Sequence, residues 1–419
     1  MKRRVAITGI GLVSPFGGSN EDFFARLLAG ESCVRHYTTD DKPRPLCMPA
    51  VRCSSFDPDA VMSKALSGTM DRYTQLGFAA AHEAWRHAGF DTEDRSAKND
   101  CGVAWGTALG GTLAYERGYR ELWQNGRARI SPLSVVLGMN NAASAHVAIQ
   151  FGLGNSCLSY TVACSSASAA IGEAYRRIVA GDAEVMLTGG SDDPLCYGVA
   201  RAWEALRVIA PGGPEDSARA CRPFSADRAG LVLGEGAAAL VLEEWQHALD
   251  RGAPILAELA GYGATADHSH LVRPDASGQV RAIELALADA GLAPADIDYV
   301  NAHGTATAEG DPTEIEALRR VFGDQAAQLP VSGTKSMHGH MMGATGAVEA
   351  VITVLALRND ALPATAHLEH VDPACTGVRH IIGSALRGTG ARVALSNSFA
   401  FGGSNAVLAI RTDTLPASH

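Results

Sequence analysis

The sequence predicts an α/β fold of two pseudo-duplicated halves, with central sheets sandwiched by helices. Three observations carry this reading. Strand-like apolar runs alternate with amphipathic runs along the whole chain, the habit of buried, largely parallel sheets with helices on their faces. The halves rhyme: "YTVACSSA" (160–167) and "YVNAHGTA" (299–306) each end an apolar strand with a reactive residue followed by small ones. Composition agrees, with 45 glycines in 419 residues, 47% hydrophobic and 6% aromatic side chains, enough for one large core or two fused ones.

The elements follow in order. "RVAITGIGLV" (4–13) reads as a first strand rather than a secretory leader, because the run is short, is broken by Gly9, Gly11 and Pro15, and lacks an A-x-A site. "EDFFARLLAG" (21–30) and "DRYTQLGFAAAHEAWRHAG" (71–89) are helical, then "CGVAWGTA" (101–108) is a strand. "CLSYTVA" (157–163) runs into a helix over 165–179, and "AEVMLTGG" (183–190) follows as a strand. The second half repeats the habit: strand 254–264, helix 278–291, strand 297–304, helix 311–323, strand 329–335, helix 346–360, and two strands around a turn, 392–398 and 406–412. The division falls near residue 253, giving halves 1–253 and 254–412 that are fused, since no Pro/Ser-rich linker separates them.

Charge and cysteine usage exclude several classes. A net charge of −10 without blocks of like charge argues against a nucleic-acid groove and requires any acidic partner to meet a local positive patch. No apolar stretch reaches the ~18 residues of a membrane span. Nine scattered cysteines without a CxxC pair argue against a disulfide framework or zinc site and point to a reducing cytoplasm.

The segment after Cys164 has Ala167, Ala170, Ile171, Ala174 and Ile178 at helical spacing, with Gly181 as a stop. It carries no charge from Thr161 to Gly172, so the helix is expected in the interior with Cys164 at its N-terminus. Unpaired N–H groups there would depress the thiol pKa and stabilise an oxyanion. A buried cysteine is also commonly a small hydrophobe, so partners must decide. "NAHGTATAEGD" offers His303 at a strand end with Thr305 and Thr307 beyond it, and "SGTKSMHGH" offers Lys335, His338 and His340 in a Gly-rich turn before a helix.

Cys164 in "ACSSA", His303 in "NAHGTAT", Lys335 and His340 in "KSMHGH", and the late turn "NSFAFGGSNA" occur together in this order, with "RPFSADRAGLVLGEGAAALVLEE" at 222–244. Nearly end to end, the chain resembles a β-ketoacyl-acyl carrier protein synthase, a condensing enzyme of the thiolase superfamily. The resemblance implies a thiolase-like fold and an acyltransferase. Cys164 would carry an acyl thioester, and malonyl-carrier would lose CO₂ and condense with it. It casts His303 and His340 as neutral N–H donors to the developing oxyanion, and Lys335 as the residue that orients them. The N–H groups of Cys164 and Phe401 would form the acyl oxyanion hole, with Phe399, Ala400, Phe401, Gly402 and Gly403 as a gate. Thr305 and Thr307 would bind the pantetheine arm, and Leu109 the acyl chain. Lys64, Arg127, Arg129 and Arg207 would meet the acyl carrier protein. No cofactor is required beyond the phosphopantetheine that the carrier brings. A structural monovalent cation would lie at Asn301, Ala302, Glu349, Ser396 and Asn397. The expected assembly is a homodimer, or a heterodimer with a chain-length-factor-like subunit.

Departures from the pattern are Ala400 where a glycine is usual, Ala306 for serine and His338 for threonine. The segment 61–73 keeps Lys64 but has Ala65, Leu66, Gly68 and Thr69 where basic residues are usual. These leave the chemistry intact and favour a specialised, polyketide or polyene, synthase over general fatty-acid elongation. Three rivals are a metal hydrolase on the pairs His268/His270, His338/His340 and His367/His370, a cysteine-dependent acyl hydrolase, and a non-catalytic chain-length partner. None of the histidine pairs has the carboxylate of HExxH, Cys164 argues against the non-catalytic partner, and a lone "GIG" without a third glycine makes no dinucleotide site.

Overall fold

Period-two burial builds the strands. In Gly236–Glu244, Ala237, Ala239 and Val241 enter one apolar cluster while Ala238, Leu240 and Leu242 enter another on the opposite face. The protein, seen in a computed structural model, is described over residues 2–415. Its large sheet has eleven strands: β1 (Val5–Val13), β2 (Cys101–Gly106), β3 (Cys157–Tyr160), β4 (Val185–Asp192), β5 (Gly236–Glu244), β6 (Ala257–Ala266), β7 (Tyr299–Asn301), β8 (Pro330–Ser332), β9 (Arg379–His380), β10 (Val393–Phe399) and β11 (Ser404–Arg411). Their order is β9-β8-β7-β10-β11-β6-β1-β5-β4-β2-β3.

Read outward from the centre, the two halves are copies. β1, β5, β4, β2, β3 on one side match β6, β11, β10, β7, β8 on the other, with the same sequence of antiparallel and parallel neighbours. Within the sheet the halves meet between β1 and β6, where Ala6 pairs with Glu258 and Ile7 with Ala257. The sheet is mixed rather than largely parallel: each half's last strand returns antiparallel, β10 to β11 through a tight turn, while only the helix-connected strands run parallel. The topology also corrects the sequence rhyme. The strand ending at His303, β7, corresponds to β2 with its "GTA" continuation, whereas β3, which leads to Cys164, corresponds to β8, which leads to Lys335.

Helices complete the layers. Thr345–Leu357 is buried on every side, as a helix between two sheets must be. This helix (Thr345–Arg358) packs with Ser166–Ala180 in the middle layer, both within one core cluster. Arg72–His87 covers one outer face with Trp105 and Val241, and Ala276–Ala290 with Gly310–Phe322 covers the other. In chain order these are α1 (Arg72–His87), α2 (Ser166–Ala180), α3 (Ala276–Ala290), α4 (Gly310–Phe322) and α5 (Thr345–Arg358). The "GIG" of β1 has a packing reason. A Cβ at Gly9 or Gly11 would lie 2.2 or 2.1 Å from carbonyls of α1, and "GYG" in β6 does the same against α3, with 2.5 Å at Gly261 and 2.0 Å at Gly263. The glycines let strand and helix meet, once in each half.

Candidate active site

The turn that presents Cys164 is built by small polar residues. Ala163 takes a left-handed φ of +50°, which swings the chain from β3 into α2. Ser166 Oγ accepts from Val162 N–H (2.9 Å) and donates to Ala163 O (2.7 Å), and Ser165 Oγ donates to Val162 O (3.0 Å). Cys164 is 7% exposed, and its Sγ lies 3.0 Å from His340 Nε2. The His303 ring stands perpendicular to His340 at 5.5 Å, and the sulfur and one nitrogen of each histidine lie within 4.8 Å of one another. Sulfur from the first half and imidazoles from the second thus meet in one pocket.

Lys335 sets the electrostatics. Fully buried, it donates to Glu349 Oε1 (2.6 Å), to the His303 carbonyl and to His303 Nδ1 (3.3 Å). An ammonium has no lone pair, so His303 Nδ1 must accept, and the ring proton sits on Nε2. Burial, then the Lys335 charge, then His340 hold His303 well below the usual histidine range, and burial with Lys335 does the same for His340. Both rings are neutral. Glu314 accepts from the His303 and Gly304 N–H groups (2.8 Å each) and fixes the loop.

The expected depression of the thiol is not found. Burial pushes Cys164 up to about 11, against the lowering influence of Lys335 and of the N–H groups of Phe401 and Cys164. Desolvation outweighs the helix N-terminus, so Cys164 rests as a neutral thiol beside a neutral imidazole.

A cavity of about 320 Å³ opens on this centre, lined among others by Thr305, Thr307, Phe399, Ala400, Phe401 and Gly403. Gly402 and Gly403 take φ of +83° and +72°, while Ala400 is extended at φ −120°, a conformation that alanine adopts without cost. Phe401 stacks on Trp203 at 5.7 Å, and Gly402 N–H bonds Leu271 O (2.7 Å). Thr305 and Thr307 share a 3.0 Å hydroxyl contact. Leu109 does not line this cavity.

Residues 2–248 match the family "Beta-ketoacyl synthase, N-terminal domain" and residues 256–369 the family "Beta-ketoacyl synthase, C-terminal domain". The chain belongs to the β-ketoacyl synthase family. It is 42% identical to "Nodulation protein E" of Rhizobium sp. (strain N33), covering 98% of this chain and 100% of that one. It is 39% identical to "3-oxoacyl-[acyl-carrier-protein] synthase 2" of Coxiella burnetii (strain RSA 493 / Nine Mile phase I), covering 98% of each. The solved structure of "the ishigamide ketosynthase/chain length factor" superposes with a TM-score of 0.90 at 31% identity, covering 98% and 100%. This synthase is therefore an acyltransferase of the condensing type with a thiolase-like fold.

The remaining predicted residues fall elsewhere. Lys64, Arg127, Arg129 and Arg207 are exposed, with Lys64 3.7 Å from Asp59 and Arg127 2.5 Å from Glu121. Near the first three, Ser67 and Gly68 face Gln124, Asn125 and Ile130 across a groove of about 630 Å³. The five cation candidates divide by face. Ala394 and Ser398 of β10 point to the middle layer, so Ser396 does too, as does Asn301 in step with Tyr299, whereas Asn397 turns to Glu314 of α4 (3.2 Å) and Ala302 to the outer cluster. Glu349 Oε2 and Ser396 Oγ are buried without a hydrogen-bond partner, oxygen donors that fit a hard monovalent cation.

The histidine pairs do not assemble a metal site: His338 Nε2 bonds Thr334 Oγ1 (3.1 Å), and His270 Nδ1 caps the N–H groups of Val272 and Arg273 (3.1 Å each). Cys164, His303 and His340 have metal-like spacing, yet His303 offers the pocket an N–H rather than a lone pair. Trp203, Thr345 and Glu314 escaped sequence reasoning. Only Glu314, an acid placed among apolar helix residues, left a signal.

Proposed function

We propose that this synthase lengthens an acyl chain by two carbons, taking the chain from an acyl carrier protein onto Cys164 and condensing it with a malonyl unit on the same kind of carrier. In the first step Cys164 Sγ attacks the acyl thioester carbonyl, and its proton passes to His340 Nε2. The oxyanion is met by the N–H groups of Cys164 and Phe401. As the tetrahedral species collapses, the carrier sulfur leaves with the proton from His340.

Malonyl-carrier then enters, its pantetheine arm against Thr305 and Thr307. The bond to the carboxylate breaks, CO₂ leaves, and the electron pair becomes an enolate. His303 Nε2–H stabilises the enolate oxygen together with His340 Nε2–H, once the His340 ring proton has moved from Nδ1 to Nε2 and Nδ1 accepts from Thr345 Oγ1 (3.0 Å). The enolate carbon attacks the Cys164 thioester carbonyl, the C–S bond breaks, and the departing Cys164 sulfur takes up a proton from solvent to restore the neutral thiol. Decarboxylation supplies the carbanion, so neutral donors suffice and no strong base is needed. Glu349 and Ser396 would hold a monovalent cation, which supplies fixed positive charge behind the histidines when bound.

The observation that carries this reading is the Lys335–His303 hydrogen bond, which commits His303 to donating. The carrier is supported by the exposed Lys64, Arg127, Arg129 and Arg207 and by the Coxiella relative's name. A second subunit, a copy or a chain-length-factor-like chain, is supported by the outermost strand β3, where Cys157 and Leu158 are exposed, and by the ishigamide structure's title. The halves divide near residue 253 in this reading. Nine free cysteines suit a reducing cytoplasm, and among the described residues no helix is long and apolar enough to cross a membrane. The sparsely basic 61–73 segment favours a polyketide- or polyene-type pathway.

Intact-protein mass spectrometry with carriers bearing acyl chains of graded length and unsaturation tests this. Wild-type protein should gain one acyl mass and, with malonyl-carrier, release a β-ketoacyl product two carbons longer, while Cys164→Ala gains none. Full condensation by Cys164→Ala would refute the assignment.

A further inference from the structure

Asp192, the last residue of β4, is fully buried and takes no part in the proposed chemistry. Its Oδ1 accepts from Thr107 Oγ1 (2.8 Å) and Leu109 N–H (3.1 Å), and its Oδ2 from Ala108 N–H (2.8 Å) and Gly343 N–H (2.6 Å). A carboxylate has about four acceptor sites, so this one is saturated. The donors come from two turns far apart in the chain. One follows β2 and is tightened by Gly110 N–H on Thr107 Oγ1 (3.0 Å), and the other joins His340 to α5.

The second turn is held against strain, since Met342 has a left-handed φ of +47°. A Cβ on Gly343 would lie 2.3 Å from Ala108 N and 2.6 Å from Asp192 Oδ2, so the two turns touch directly. Two residues on, Thr345 Oγ1 bonds His340 Nδ1, and His340 Nε2 bonds the Cys164 sulfur.

We propose that Asp192 is a positioning residue: it clamps the Thr107–Leu109 turn to the Met342–Ala344 turn and thereby sets how closely His340 approaches Cys164. A displacement of the Leu109 turn is then felt at His340. This role presupposes that Cys164 and His340 act as proposed above.

The test compares three variants with His340→Ala. Asp192→Asn keeps the shape but turns one acceptor into a donor facing N–H groups. Its condensation kcat should fall ~10²-fold, the scale of a misplacement of about 1 Å, while KM for acyl-carrier changes less than about threefold. The Asp192 charge also raises the thiol pKa, so alkylation of Cys164 by iodoacetamide should shift to lower pH in Asp192→Asn. Gly343→Ala breaks the clamp sterically and should lose comparable kcat without that charge-driven shift. Thr107→Val removes one of the four hydrogen bonds to Asp192, together with the Gly110 N–H contact, and should show a smaller kcat loss, which keeps the test readable if the others fail to fold. An Asp192→Asn or, failing that, a Thr107→Val protein with wild-type kcat beside an inactive His340→Ala would overturn the clamp alone. Wild-type condensation by His340→Ala would instead overturn the role of His340.

Discussion

Cys164 and Lys335 follow equivalent strands, β3 and β8, in the two halves of the molecule. The turn around Cys164 is held by serine hydroxyls and backbone, with no ionised side chain bonded to it. The turn around Lys335 is held by a buried ammonium bonded to a carboxylate, a carbonyl and an imidazole. One frame therefore serves opposite needs. The nucleophile must form and break bonds, so its proton stays on a thiol that burial holds neutral. In the proposed mechanism His303 must stay aimed while charge develops on substrate, and the Lys335–Glu349 pair orients it.

If that division of labour is right, damage confined to the Lys335–His303 pair should spare the first step. His303→Ala should still load acyl groups onto Cys164, as read by intact mass, while condensation falls ~10²–10³-fold, the usual cost of one oxyanion donor. Equal loss in both steps would erase the distinction between the halves.

Lys335→Met sharpens the contrast. It strips Nδ1 of its donor and frees the His303 tautomer, so condensation should fall ~10²-fold while loading persists. The sign of the pH effect is fixed by the structure. Burial and Lys335 both lower the His303 pKa, so removing the ammonium raises it, and the ring becomes protonated as pH falls through the new value. The acid limb of condensation should therefore move to higher pH, and an unmoved limb would show that Lys335 does not govern His303.

The fold and the convergence of Cys164 with His303 and His340 were legible because the elements that carry them depend on local pattern. Alternation gave the strands, and the uncharged stretch 161–172 placed α2 in the interior. What was not legible depends on partners far away in sequence. The rhyme of "YTVACSSA" with "YVNAHGTA" misaligned the halves because strand order is set by pairing, which a linear comparison does not contain. The thiol pKa was misjudged because the helix N-terminus is a local feature while desolvation comes from the whole shell around Cys164. Trp203 lies in the helix Tyr197–Ala205, whose stacking on Phe401 links segments almost two hundred residues apart. The five cation candidates, carried over as one set, have side chains that divide between two faces of the sheet, which the linear sequence did not show.

The turn after β10 gives the smallest effect and the finest discrimination. Ala400 stands where the family pattern usually has glycine, yet its φ is −120° and the left-handed positions are Gly402 and Gly403. Restoring glycine at 400 should therefore relieve nothing. It adds freedom to the unfolded chain, so Ala400→Gly should lose ~0.5–1 kcal/mol in denaturant unfolding, with kcat within about twofold, or ~0.4 kcal/mol. A stabilised or markedly faster variant would mean that alanine at 400 does restrain the turn beside Cys164, and that the first half's reactive group is held less loosely than its hydrogen bonds imply.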